Sequence, residues 1–223
     1  MSIVIAVDGT AASGKGTLAK KLAEHFGFAH LDSGSLYRLV ALNVAHADDE
    51  ADAARAAQSL SAATIEAAQR DDARIRSAEI GCAASVVAVY PCVREALLQF
   101  QRDFAARPPG GAEGAVIDGR DIGTVICPNA TAKLFVDAAP EMRAHRRWLE
   151  LNGRGEQPDE AILLAEIVER DRRDRERPLS PLEPAPDALL LDTTHLDIDA
   201  AFAAALALVQ PKVEEALKAP PQG

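Results

Sequence analysis

Apolar residues along this chain fall in short unbroken runs, and the stretches between them carry helical spacing. Residues 3–8 and 115–117 read as buried strands, 29–32 as a short strand, and 132–136 and 188–191 as two more. Residues 18–26 continue the first run as a helix. A second helix opens near Ser33, with Leu36, Leu39, Val40 and Val44 on one side; Ser33 is its N-cap or a ligand contact, with equal weight. Behind Pro91, the residues Val93, Leu97, Leu98, Gln101 and Phe104 mark the apolar side of a third. Residues 140–151, 158–177 and 198–217 complete the helical set, the middle one apolar early and densely charged late. Periodicity does not decide 80–89 between helix and strand. The alanine-rich 48–70 reads as one or two exposed helices, and 73–76 as a short extended piece. Breaks fall at Pro-Pro-Gly-Gly 108–111, at Asn-Gly-Arg-Gly 152–155, and at prolines 178, 181, 184 and 186. The closing Pro-Pro-Gln-Gly is expected to be disordered.

Strands alternating with helices predict an α/β fold, a five-stranded parallel sheet between two helical layers. Ligands in such sheets bind beyond the carboxyl ends of the strands. That rule puts residues 9–17, 32–38 and 118–121 on one rim.

Composition narrows the function. At 223 residues and 48% hydrophobic content the chain can form one domain with insertions or two small ones. A net charge of −10 argues against general nucleic-acid binding, so an anionic substrate needs a local basic cluster. No basic leader precedes the first strand and no apolar run is long enough to span a bilayer, so a cytoplasmic protein without a membrane partner is expected. Cys82, Cys92 and Cys127 have no metal-ligand spacing and read as reduced, buried thiols. The five histidines, His30 among them, read as ordinary surface or core residues.

The chemistry begins at Gly9-Thr10-Ala11-Ala12-Ser13-Gly14-Lys15-Gly16-Thr17, between the first strand and the first helix. Glycines let the backbone curl so that successive N–H groups and a helix N-terminus face a polyphosphate, and Lys15 adds a mobile charge. The residue after the lysine is Gly16, and the hydroxyl suited to a Mg2+ ion moves to Thr17. Asp118 ends an apolar strand, where it either holds Mg2+, directly or through water, or simply turns the chain. Arg38 and Arg120 fall on the same rim as phosphate contacts or surface residues. In the charge run 169–177, a helix brings Arg170, Arg173, Asp174 and Arg177 to one face. That face is either solvated and held by pairs such as Glu166–Arg170 and Glu169–Arg173, or it closes over phosphates.

Together these segments closely resemble the bacterial cytidylate kinases, a family of nucleoside monophosphate kinases. The resemblance covers nearly the whole chain. It rests on Gly14-Lys15-Gly16-Thr17, on Leu31-Asp32-Ser33-Gly34-Ser35-Leu36-Tyr37-Arg38, on Val93-Arg94-Glu95-Ala96-Leu97-Leu98, on Asp118-Gly119-Arg120-Asp121-Ile122-Gly123-Thr124-Val125, on Ala144-His145-Arg146-Arg147 and on the run 169–177. It implies transfer of the γ-phosphoryl group of MgATP to CMP or dCMP by a monomer with a single kinase domain. The core would be about 1–38, 112–150 and 187–220, the nucleotide-binding insert about 39–111 and the lid about 151–180. It further implies that Ser85, Arg94 and Asp121 read the cytosine edge beside Ser33, that Arg38 and Arg120 hold the acceptor phosphate, that Arg170 and Asp174 meet the sugar, that Arg177 meets the phosphates, and that Arg146 lies near the ATP adenine. Lys15, Arg120, Arg170 and Arg177 would be the catalytic cations. One feature departs from the family: 48–76 is short and alanine-rich where a small antiparallel sheet is usual, so the insert is expected to be trimmed or rebuilt as helices. Two other readings stay open on the residues alone. One is a P-loop kinase for another monophosphate or a sugar-like alcohol. The other is a nucleotide switch, against which stands the lack of an Asn-Lys-x-Asp motif.

Overall fold

All seven residues of β1 (Ile3–Gly9) are buried, as a strand covered by helices on both faces must be. In the computed structural model, which describes residues 2–218 apart from 62, 66, 68–74 and 76, β1 is the centre of a five-stranded sheet. The strand order is β2 (Ala29–Asp32), β3 (Gly114–Gly119), β1, β4 (Ala132–Asp137), β5 (Leu189–Asp192). Every pairing is parallel. The register sets Asp8 beside Gly119 and Asp32 beside Asp118. Carboxylates therefore gather at one end of the sheet before any loop geometry intervenes.

Helices α1 (Lys15–Phe26) and α8 (Ile198–Lys218) cover one face, closing a core of Ile5, Val7, Leu22, Leu134, Val136 and Val209. The other face packs Ala6, Leu31, Ile117 and Ile122 against Ala105 of α5 (Pro91–Ala106). Helix α1 starts at Lys15, three residues before the apolar pattern does. Its first turn faces the ligand rim rather than the core, so nothing apolar marks it.

A second cluster joins α2 (Ser33–Leu42), α3 (Glu50–Gln58), α4 (Ala78–Val87) and α5 around Leu36, Leu39, Val87, Val93 and Leu97. Residues 80–89 thus fall mainly in a helix, capped by Ser77, whose hydroxyl accepts from the Ile80 amide at 3.2 Å. Two expectations need correction. Helix α3 is not simply exposed, because Ala53, Ala56 and Ala57 form a buried stripe; alanine contrasts too weakly with charge for that stripe to stand out. None of the three cysteines is buried: Cys82 is exposed, and Cys92 and Cys127 are partly so. The extended piece expected at 73–76 falls almost wholly outside the described residues, as does the C-terminal tail. Among the described residues the sheet has parallel pairings only, and no single helix is long and apolar enough to cross a membrane.

Helices α6 (Pro140–Gly153) and α7 (Glu160–Glu176) pack against each other. Asp159 caps α7, accepting from Ala161 and Ile162. The buried side of α7 changes character along its length, from Leu163 and Ile167 to Asp171 and Asp174. That acidic continuation brings α7 over the carboxyl end of the sheet.

Candidate active site

The loop after β1 is fixed from outside. At Gly9, with φ +151°, an added Cβ would stand 1.9 Å from the Val136 carbonyl oxygen, so β1 can turn this close to β4 only without a side chain. The Thr10 hydroxyl donates to Asp137 at 2.7 Å. Carbonyls of the loop are held by protein donors: Thr10 by the Ser13 hydroxyl at 3.0 Å and Lys15 Nζ at 3.3 Å, Ala11 by Arg143 at 3.1 Å, and Ser13 by the Thr193 hydroxyl at 2.9 Å. With those carbonyls engaged, the first-turn N–H groups of α1 are what the loop offers to an anion.

Beside Lys15 lies a cavity of about 240 Å³. Six cationic side chains line it: Lys15, Arg38, Arg94, Arg120, Arg170 and Arg177. Four carboxylates accompany them: Asp32, Asp118, Asp121 and Asp174. The cluster is therefore locally positive in an acidic chain. Arg120 is held by Asp174 at 2.8 Å and donates to the Gly119 carbonyl at 3.2 Å. Arg38 donates to the Ile75 carbonyl at 2.7 Å. Burial and the like charge of Arg120 pull Lys15 down to about 7 and Arg170 to about 10. The Nε of Arg170 and an Nη of Arg177 are buried without a hydrogen-bond partner among the described residues. Buried donors on crowded cations mark a site built for an anion.

The far end of the cavity has a different chemistry. Arg94 pairs with Asp121, donates to the Ala88 carbonyl at 3.2 Å, and lies over the Tyr37 ring at 5.7 Å. Arg177 approaches the other Asp121 oxygen at 3.7 Å. Ser33 and Ser85 are both buried on its wall. Ser33 does not cap α2: Asp32 does, accepting from the Ser35 amide at 3.2 Å. Ser33 instead crowds Gly119, where a Cβ would stand 2.5 Å from its hydroxyl.

The carboxylate of Asp118 is shared between two directions. One oxygen meets His30 Nε2 at 2.8 Å, and the other faces Gly16, lying 3.6 Å from where a Cβ there would be. Burial pulls the His30 imidazole down, but the hydrogen bond and charge of Asp118 outweigh it and hold it above its ordinary value.

The cavity thus gathers Lys15, Gly16, Ser33, Arg38, Ser85, Arg94, Asp118, Arg120, Asp121, Arg170, Asp174 and Arg177. Ala11 and Ala12 line a neighbouring cleft of about 550 Å³ between α4 and α7. Thr17 is exposed, in the first turn of α1. Arg146 stands apart, donating to Thr193 Oγ1 at 3.2 Å and to the Leu196 carbonyl at 3.1 Å, so that it ties α6 to the loop after β5. The charge run divides between the two readings. Arg172 is solvated, pairing with Glu169 at 2.8 Å and Glu176 at 2.6 Å, whereas Arg170 and Asp174 turn into the cavity with Arg177.

Several residues of the site escaped sequence reasoning. Asp8 accepts from the Ile122 and Gly123 amides at 2.8 and 2.7 Å, pinning the π-helical turn Ile122–Ile126 that follows Asp121. Burial pushes its carboxyl up to about 7. The only signal was an acid closing an otherwise apolar strand. Arg143, Asp171, Asp137 and His30 gave no signal beyond their charge.

The family model described as Cytidylate kinase matches residues 5–211. The chain is 54% identical over 209 residues to the cytidylate kinase of Rhodopseudomonas palustris strain TIE-1, covering 93% of this chain and 96% of that one. It is 55% identical over 210 residues to the cytidylate kinase of Cereibacter sphaeroides strain KD131, covering 94% and 96%. Among solved structures, an uncharacterized protein from Eubacterium ventriosum aligns at TM-score 0.51 and 16% identity, over 93% of this chain and 98% of that one; this likeness concerns the fold alone.

Proposed function

The chain belongs to the cytidylate kinase family, and on that premise we propose that it transfers the γ-phosphoryl group of ATP to CMP and dCMP, giving the diphosphates and ADP. The observation that carries the reading is one cavity in which buried donors of Arg170 and Arg177, without a hydrogen bond among the described residues, stand next to the Arg94–Asp121 pair. The cations suit a phosphate, and the pair presents both a donor and an acceptor to a base edge.

The acceptor atom is an oxygen of the CMP phosphate. As a monoester with a second pKa near 6, it is already ionised at neutral pH, so no general base is needed. The new bond joins that oxygen to the γ-phosphorus while the bond to the β,γ-bridging oxygen breaks. Catalysis is then positioning and neutralisation of charge. Lys15 and the loop 9–17 hold the ATP phosphates, Arg38 and Arg120 hold the acceptor phosphate, and Arg170 and Arg177 face the group in flight. Arg170 and Asp174 reach the ribose. Arg146, which fixes the loop after β5, borders the adenine. Residues 39–111 act as the CMP-binding insert and 151–180 as the lid.

Asp118 and Thr17 fit a Mg2+ ion that arrives with ATP. One Asp118 oxygen is spent on His30 and the other faces the loop, and among the described residues no cluster of three potential ligands forms a protein cage. A metal held by one carboxylate, one hydroxyl and substrate oxygens is what Mg2+ prefers. When bound it would neutralise charge on the β and γ phosphates.

ADP release from MgATP with CMP, dCMP, UMP, AMP, GMP or no acceptor tests the reading. Turnover with CMP and dCMP far above the rest is expected; equal rates with all acceptors would overturn the substrate. Asp121→Ala should lower the preference for CMP over UMP about tenfold or more, since it removes the acceptor for the cytosine amine and strips Arg94 of its partner. An unchanged preference rejects the base-reading role.

Lys15 also predicts proton linkage. A bound polyphosphate favours the ammonium form, so a lysine held near 7 regains its proton. Titration of MgATP near pH 7.5 in buffers of different ionisation enthalpy should show proton uptake that disappears in Lys15→Ala. Equal uptake in both proteins would exclude Lys15 as its source.

A further inference from the structure

His30 holds no nucleotide in the proposed reading, yet it touches the carboxylate suited to Mg2+. The pleat of the sheet brings it there. β2 and β3 run parallel, with His30 beside Val116 and Asp32 beside Asp118. Side chains two apart on a strand share a face. Val116 belongs to the core closed by α1, so Asp118 follows it onto the α1 face, and His30 and Asp32 share that face on the neighbouring strand. His30 is thus the diagonal neighbour of Asp118, and its ring closes the gap, with Nε2 2.8 Å from Oδ1. A carboxylate can only accept, so Nε2 carries the proton. The other oxygen, Oδ2, faces Gly16 in the first turn of α1.

Asp118 has competing neighbours. Lys15 and Arg120 line the same cavity, and the charge of Asp118 favours the protonated form of both. Asp32, its register partner, stands beside it as a like charge, and burial and that charge push the Asp32 carboxyl up. A carboxylate free to turn in such a field would swing toward a cation and away from Asp32. The imidazole N–H prevents this. With Oδ1 fixed, the planar carboxylate has no freedom left about its last torsion, and Oδ2 stays on the Gly16 side. Mg2+ demands near-ideal octahedral geometry, so it gains from a ligand oxygen that is already ordered.

We propose that His30 is a positioning residue for the metal: by holding one oxygen of Asp118, it keeps the other turned to the N-terminal turn of α1, ready for a Mg2+ that arrives with ATP. This rests on the reading of Asp118 as a Mg2+ ligand. Without the imidazole the carboxylate rotates into an ion pair with Lys15 or Arg120, and its oxygen is lost to the metal.

The test is a calorimetric titration with ATP, once in excess Mg2+ and once in EDTA, with no acceptor present. The ratio of the two affinities measures how far the protein itself helps to hold the metal. It is compared in wild type, His30→Leu, His30→Gln, Asp118→Asn and the double variant His30→Leu/Asp118→Asn. Melting curves establish that each is folded. The expected result is a fall in the ratio of about tenfold in His30→Leu, the scale of a lost partner behind a metal ligand, recovery to within about threefold of wild type in His30→Gln, whose amide N–H can stand in for Nε2, and no further fall when His30→Leu is added to Asp118→Asn. A loss in His30→Leu that is equal with and without Mg2+ would overturn the proposal and leave His30 as a packing residue. The same fall with or without the Asp118 carboxylate would overturn it as well, and so would a ratio in His30→Gln as low as in His30→Leu. If Asp118→Asn leaves the ratio unchanged, the metal reading of Asp118 fails, and the proposal with it, whereas the transfer to CMP is judged separately by ADP release.

Discussion

Lys15→Ala lowers phosphoryl transfer about a thousandfold, the scale expected when one preorganised charge is removed from a transferring phosphate. CMP affinity should change by a few-fold at most, because in the proposed reading the acceptor phosphate is met by Arg38 and Arg120 rather than by Lys15. Single-turnover transfer and equilibrium CMP binding separate the two effects. Transfer within tenfold of wild type would refute the phosphate role of the loop. The variant should not be less stable. Lys15 is crowded by Arg120 and Arg170 and held near 7, below its unfolded value. Between about pH 7 and the ordinary lysine range the unfolded chain therefore binds more protons at this position than the folded one, and stability from this group rises with pH. The melting temperature of Lys15→Ala should equal or exceed that of wild type at pH 7, and the difference should shrink as pH rises. A marked loss of stability at pH 7 would show that Lys15 is chiefly a packing residue.

That combination explains which parts of the site could be read from the chain. The central strands declared themselves because burial on both faces leaves mostly apolar residues, as in Ile3 to Val7. The loop declared itself because close approach demands glycine, and Gly9 against the Val136 carbonyl is that demand in physical form. From these two signals the rim followed, with Arg38, Asp118 and Arg120 on it. Ser85 and Arg94 were invisible without a resemblance, since a serine inside a helix and an arginine on one carry no mark of what they face. Charged residues that turn inward were harder still. Arg170 and Arg172 sit two apart in one run, yet one is half-buried among cations and the other pairs with Glu169 and Glu176 in solvent. Sequence shows a charge; only the fold shows its partner. The alanine stripe of α3 failed for the opposite reason, because its residues are too small for their burial to be felt in the pattern.

The pair that was least legible has the second largest expected effect. Arg143 is 1% exposed and Asp171 4%, and neither stood out in its helix. Arg143 spends its guanidinium on three elements: the Ala138 carbonyl at 2.8 Å, the Ala11 carbonyl of the loop after β1 at 3.1 Å, and the Asp171 carboxylate of α7. Removing either member leaves a buried charge without a partner, and one Asp171 oxygen already has none. Arg143→Met or Asp171→Leu should each cost about 3–5 kcal/mol in urea unfolding. The double variant should recover much of that loss, because two apolar side chains fill the space without stranding a charge. Activity should not recover with it. The Ala11 carbonyl would still lack its donor, and α7 would no longer be tied to the loop proposed to hold the phosphates, so kcat should stay well below wild type while stability returns. Single variants within about 1 kcal/mol of wild type would show that the pair is solvated in the working protein. Full recovery of kcat in the double variant would show that Arg143 serves the fold alone, and that the loop after β1 holds its shape without help from α7.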